Sequence, residues 1–211
     1  MRWTFGEPPL DQTVELAAVL RRLGGLALTM EYPSDDVRRL ITQLTDAERA
    51  LVASAPRATG PRVGADADPD GRVYLDHSRD IGAFNPAFPT YAIAVEGDHA
   101  TGSVEFPVLF EGPPGLVHGG FLAVFFDAVI QHHNCDVGVA GKTTRLDVSY
   151  RRPTPLLTPL TFEISRAADG DRIGSTARLL LDDKVCAEAT MEAIAGNRSG
   201  LPTVSVRRPP P

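Results

Sequence analysis

Gly115-Leu116-Val117-His118-Gly119-Gly120-Phe121-Leu122-Ala123-Val124-Phe125-Phe126-Asp127-Ala128-Val129-Ile130 decides how this chain is read. A flexible approach ends in paired glycines and runs into an apolar segment of helical character that holds one carboxylate. Glycines at that junction let a ligand come close to the backbone, where the first N–H groups of a helix lack an intrahelical acceptor and can hold an oxyanion. Asp127 needs its own explanation, because no Lys or Arg occurs between Gly115 and Ala140 and an ionised carboxylate buried without partners is costly. It is either a catalytic group or a core carboxylate satisfied by hydrogen bonds.

On both sides of this segment the period is that of strands. Tyr91 to Val95 and Thr101 to Phe106 are joined by Glu96-Gly97-Asp98-His99, which predicts a hairpin. After the central helix come Lys142 to Arg151, Leu160 to Arg166, Ile173 to Leu181 and Val185 to Ile194, with tight connections at Asp169-Gly170-Asp171 and Asp182-Asp183-Lys184. Leu146, Val148 and Tyr150 alternate with Arg145, Asp147 and Ser149, the mark of a strand with one wetter face. One helix with two strands before it and four after predicts an α+β domain, a helix packed on a curved antiparallel sheet.

The N-terminal part has a helical period instead. Residues 11 to 23 carry Val14, Leu16, Ala17, Val19, Leu20 and Leu23, with Asp11 as cap and Gly24-Gly25 as stop. A second helix starts at Pro33-Ser34-Asp35-Asp36 and presents Val37, Leu40, Ile41, Leu44, Leu51 and Val52, with a restart at Thr45-Asp46-Ala47-Glu48. Residues 55 to 72, rich in Pro, Gly, Ala and Asp, read as a linker. The expected organisation is a helical extension and linker over 1–72, the α+β domain over 73–195, and a flexible Pro- and Arg-containing tail over 196–211.

Composition limits the partners. The 211 residues are 43% hydrophobic and 23% charged, enough for one substantial core. A net charge of −6 and scattered arginines argue against nucleic acid. No apolar run reaches membrane-spanning length, and Cys135 and Cys186 form no CxxC pair. A cytoplasmic protein with no membrane partner and no metal is expected. Asp66-Ala67-Asp68-Pro69-Asp70-Gly71-Arg72-Val73 mimics the front of a calcium loop but has His77 where its glutamate belongs, so an acidic loop is the better reading. His132, His133 and Cys135 lack a fourth ligand and read as cap or interface residues.

His118-Gly119-Gly120-Phe121-Leu122-Ala123-Val124-Phe125-Phe126-Asp127-Ala128, preceded by FEGPPGLV at 110–117 and followed by TTRLDVSYRRPTPL at 143–156, resembles the hotdog-fold acyl-CoA thioesterases of the PaaI-like branch over about residues 85–195. The resemblance implies an antiparallel sheet wrapped around an elongated helix, protomers paired through their sheets, and hydrolysis of fatty or aromatic coenzyme A thioesters. It implies that the Gly119 N–H polarises the thioester carbonyl and that Asp127 is the catalytic carboxylate, as base or nucleophile. It also implies that His118 shapes the turn or places substrate, and that Thr143 is a hydroxyl orienting water or the carboxylate. Gly120, Arg145, Arg151 and Arg152 are candidate contacts for coenzyme A, which is part of the substrate rather than a cofactor. Many relatives carry Asn six residues before the histidine, where this chain has Gly112.

On the residues alone each assignment has a plain counterpart. Gly119 serves as oxyanion donor or as a steric turn residue; His118 as proton carrier or structural hydrogen bond; Thr143 as site hydroxyl or strand filler; the arginines as phosphate ligands or solvent-facing side chains. Phe121, Phe125 and Phe126 suit an acyl tunnel or a core. No GxSxG elbow is present. A hydratase or dehydratase on the same fold, or an acyl-CoA binding module without turnover, are the rival functions. Helix geometry adds one expectation: Gly119 and Asp127 are eight residues apart, about 12 Å along an intact helix. Either the helix opens near the glycines, or Gly119 of one protomer works with Asp127 of the facing one in a homodimer, or a dimer of dimers, with composite sites as the resemblance implies; the second is expected.

Overall fold

A computed structural model describes residues 6–55, 58–61, 71–73, 75–76, 80–138, 140–195 and 207. The extension forms two helices, α1 (Asp11–Leu28) and α2 (Asp35–Ser54). β1 (Ala58–Pro61) and β2 (Gly71–Arg72) then make a short parallel pair inside the stretch expected to be linker. A single helical turn, α3 (Ile81–Phe84), leads into the hairpin β3 (Tyr91–Glu96) and β4 (His99–Val104). The central helix α4 (Gly119–Val137) precedes β5 (Gly141–Tyr150), β6 (Leu160–Asp169), β7 (Arg172–Leu181) and β8 (Lys184–Ala195). The acidic loop at 66–70 and His77 lie outside the described residues.

The large sheet runs β3-β4-β6-β7-β8-β5, every neighbouring pair antiparallel. Burial alternates along β6 and β7, so each strand gives one face to α4. The helix presents Leu122, Phe125, Phe126, Val129 and Ile130, all at most 2% exposed, to Phe162, Ile164, Leu179 and Met191 of the sheet. The strands answer these large helical side chains with small ones, Ala177, Ala187 and Ala189, which lets the sheet curve closely around the helix. This is the hotdog arrangement. Phe125 and Phe126 are therefore core residues at 0% exposed, while Phe121 stays 37% exposed at the helix start.

Several local expectations change. Gly24-Gly25 does not stop α1, which continues to Leu28; Gly24 instead lets the helix approach Leu109, to which an added Cβ would come within 3.1 Å. Asp11 is the first helical residue and Leu10 the N-cap. α2 runs unbroken through Thr45 to Glu48, capped by Ser34, whose hydroxyl accepts from the Asp36 N–H at 3.2 Å. His132, His133 and Cys135 are core residues rather than caps or interface, at 7%, 0% and 6% exposed. The His132 Nδ1 pairs with the Tyr91 hydroxyl, whereas His133 Nε2 turns to the Gly97 carbonyl. Among the described residues no group of ligands could hold a metal ion, and no helix is long and apolar enough to cross a membrane. Arg207, the one described residue of the tail, lies 3.8 Å from the Glu7 carboxylate.

Candidate functional site

His118 is the N-cap of α4, and its side chain does the capping. Nδ1 accepts from the Gly120 N–H at 3.0 Å, which requires an unprotonated Nδ1 and puts the ring proton on Nε2. The Gly120 N–H is thereby already satisfied, and its missing side chain leaves room for the imidazole, 3.1 Å from where a Cβ would stand. Gly119 differs. As the first helical residue it has no intrahelical acceptor, and among the described residues no other group accepts from its N–H. The loop before it is fixed by cross-bridges, with the His118 N–H donating to the Phe110 carbonyl and the Gly112 N–H to that of Leu116, each at 2.9 Å. Gly112 has no room for the asparagine of many relatives, because a Cβ there would lie 2.7 Å from the His118 Cα.

Tyr150, at the end of β5, reaches this helix start. Its hydroxyl donates to the Gly119 carbonyl at 2.9 Å and its ring lies against the Gly119 Cα. A cavity of about 390 Å³ opens here, lined among others by Leu116, Gly119, Leu122, Tyr150, Arg151 and Arg152. Arg151 is half-exposed and paired with Glu188, its Nε at 2.8 Å. Arg152 donates to the Val185 carbonyl at 2.7 Å. Arg145 is not part of this cluster: it shares the outer face of the sheet with Asp147, to which its Nε bonds at 2.6 Å.

Asp127 is half-buried two turns further along α4. The Thr143 hydroxyl donates to its Oδ1 at 2.9 Å. Thr143 reaches the helix side because of a bulge. In the β5–β8 ladder Thr143 opposes Ala193 and Arg145 opposes Glu192, so Thr144 is an extra residue. Beyond it the alternation flips, so that Thr143 shares a face with Leu146 and Val148 rather than with Arg145 and Asp147. Behind this pair stands Gln131, whose Nε2 donates to the Gly141 carbonyl at 3.0 Å and to Thr143 Oγ1 at 2.9 Å.

The structure thus forms two groups along one unbroken helix: the expected Gly119, His118, Arg151 and Arg152 are joined by Tyr150 at its start, and Asp127 meets Thr143 further along. Gln131 and Tyr150 carry no role in the sequence reading. Tyr150 has no local signal. Gln131 does have one, since Asp127, Gln131 and Asn134 stand at i, i+4 and i+7, a polar stripe on an otherwise apolar helix.

No protein-family model matches the chain. A thioesterase superfamily protein of known crystal structure matches with 26% identity over 90% of this chain and 99% of its own, with a TM-score of 0.72. A Streptococcus mutans protein solved with acetyl-CoA bound matches at 16% identity over 51% of this chain and 89% of its own, with a TM-score of 0.48. The Escherichia coli PaaI protein of the phenylacetic acid degradation operon matches at 15% identity over 49% and 82%, with a TM-score of 0.46. The assignment rests on the first, which at that coverage takes in part of the N-terminal helical segment as well. With a match over nearly its whole length and a sheet wrapped around one central helix, the chain has the hotdog fold and is similar to a protein of the thioesterase superfamily.

Proposed function

We propose that this protein hydrolyses acyl-CoA thioesters to a free carboxylic acid and coenzyme A. The observation that carries the reading is the pairing, on one apolar helix, of an unoccupied backbone donor at Gly119 with a carboxylate at Asp127 held by a hydroxyl. Thioester hydrolysis needs those two functions: a donor where negative charge develops on the carbonyl oxygen, and a base or nucleophile at the carbonyl carbon. The Nε2–H of His118 is a second donor at the same helix start. Asp127 either takes a proton from the attacking water or attacks the carbon itself, breaking the C–S bond and expelling the coenzyme A thiolate, and is released when water hydrolyses the resulting anhydride.

Arg151 and Arg152 suit the phosphates of coenzyme A, beside the cavity that contains Gly119. The exposed Arg151–Glu188 pair contributes little in water and yields readily to a phosphate. We assign Arg145 no contact, and residues 73–195 the chemistry, with 1–72 as an appended helical unit. Two free, buried cysteines accord with a reducing cytoplasm. The sites are composite: β5 is an outer strand of the sheet, open to pairing with a second copy, and α4 is unbroken between Gly119 and Asp127.

Release of free thiol from a panel of medium-chain, long-chain and aryl acyl-CoAs tests the reading directly. Hydrolysis of at least one class is expected. A hydrated or unsaturated product still intact at sulfur would establish a lyase instead, and tight binding without turnover across the panel would establish a binding module.

A further inference from the structure

The Asp127–Thr143 contact is one link in a longer chain of hydrogen bonds whose direction is fixed at both ends. Arg166 carries donors only, and its Nε donates to Asn134 Oδ1 at 3.1 Å. That turns the Asn134 amide nitrogen toward Gln131, where Nδ2 meets Oε1 at 3.5 Å. The Gln131 orientation is set a second time at its other end, because the Gly141 carbonyl can only accept and so must face Nε2, 3.0 Å away. The remaining Nε2 hydrogen goes to Thr143 Oγ1 at 2.9 Å. A threonine hydroxyl has a single proton. With its oxygen accepting from Gln131, that proton is directed to Asp127 Oδ1 at 2.9 Å, the other neighbour being the weakly accepting Met191 sulfur at 3.7 Å.

We propose that Gln131 is a positioning residue for the reaction, holding the Thr143 hydroxyl as a donor to Asp127 and so fixing which carboxylate oxygen is left to meet water or the carbonyl carbon. The inference rests on the hydrolase reading. Gln131 touches no reacting atom; it acts through Thr143. Asn134, 0% exposed, and Arg166 keep the amide from flipping. An amide is needed for this role, since a hydrocarbon of equal length supplies no donor, and a carboxylate would accept the Thr143 proton and draw it away from Asp127.

The test is a double-mutant cycle on acyl-CoA hydrolysis. Gln131→Met is expected to lower kcat about 10-fold with KM unchanged, and Gln131→Glu to lower it at least as far, because positioning is lost while the general base remains. In a Thr143→Val background, where no hydroxyl remains to be directed, neither substitution is expected to cost more than about twofold further. Equal losses in both backgrounds, or an unchanged kcat in folded Gln131→Met, would overturn the proposal. Absence of turnover in the parental chain would strike the hydrolase reading instead. The positioning claim would then be decided by the NMR order parameter of the Thr143 methyl: a fall in Gln131→Met supports it, and an unchanged value overturns it.

Discussion

Asp127 has a fixed donor on one oxygen, and this makes the isosteric amide an informative replacement. Asp127→Asn keeps the volume and loses the basicity, so kcat is expected to fall on the order of 10²-fold or more with the circular dichroism spectrum unchanged; a folded variant with near-parental kcat would remove Asp127 from the mechanism. Asp80 supports a prediction about pH. It adopts a left-handed backbone at φ 37° beside α3 with a buried Oδ1 that has no hydrogen-bond partner among the described residues, and burial pushes its carboxyl above the usual carboxylate range, partly offset by His132, the Ala83 and Gly82 backbone N–H groups and Arg21. A carboxyl whose pKa is raised by folding favours the folded state while protonated, and this contribution is lost as pH rises through the folded value. Asp80→Asn is therefore expected to match the parent in thermal stability at acid pH and exceed it at neutral pH; an equal difference at both would exclude Asp80 as the cause. At this scale the sequence is uneven. Paired glycines and an isolated carboxylate stand out within one short stretch, so Gly119 and Asp127 were legible as candidates. The facing of Thr143 was not, because one inserted residue at Thr144 reverses the alternation that a strand pattern assumes.

The two helices of the extension differ in how they are held, although their apolar stripes look alike in sequence. α1 is clamped by Arg21, 8% exposed, which donates to the carbonyls of Phe88 at 2.8 Å, Gly82 at 2.6 Å and Asn85 at 2.9 Å. α2 has no buried residue, and its Ile41, Leu51 and Val52 are 60%, 60% and 70% exposed. Arg21→Met keeps the stem but orphans three carbonyls, and is expected to cost about 3 kcal/mol in urea unfolding. Val52→Glu is expected to stay within about 0.5 kcal/mol of the parent. Comparable losses would mean that α2 is held as firmly as α1. The helices, the six long strands and three two-residue turns were readable because each is set by local periodicity and turn chemistry. Which helix packs, and that Gly24 serves contact with Leu109 rather than termination, depends on residues 60 to 85 positions away and leaves no local trace.

For the whole molecule the decisive quantity is the length of α4. It is helical from Gly119 to Val137 without a break, so the Gly119 N–H and the Asp127 carboxylate remain about 12 Å apart along its axis. One carbonyl group cannot meet both within a protomer. If Gly119 works with the partner subunit's Asp127 across a two-fold axis, each homodimer has two composite sites, and inactive variants should complement. Asp127→Asn removes the carboxylate. Gly119→Val crowds the helix start, where even a Cβ lies 3.1 Å from the Tyr150 ring. After refolding an equal mixture, about half of the dimers are mixed, and each of these combines an intact Gly119 from one subunit with an intact Asp127 from the other at one of its two sites. Activity should return to about a quarter of the parental value. Verified subunit exchange without recovery above either variant would confine the site to one protomer, and full activity in a monomer at assay concentration would do so more directly, requiring the helix to open near its glycines during turnover.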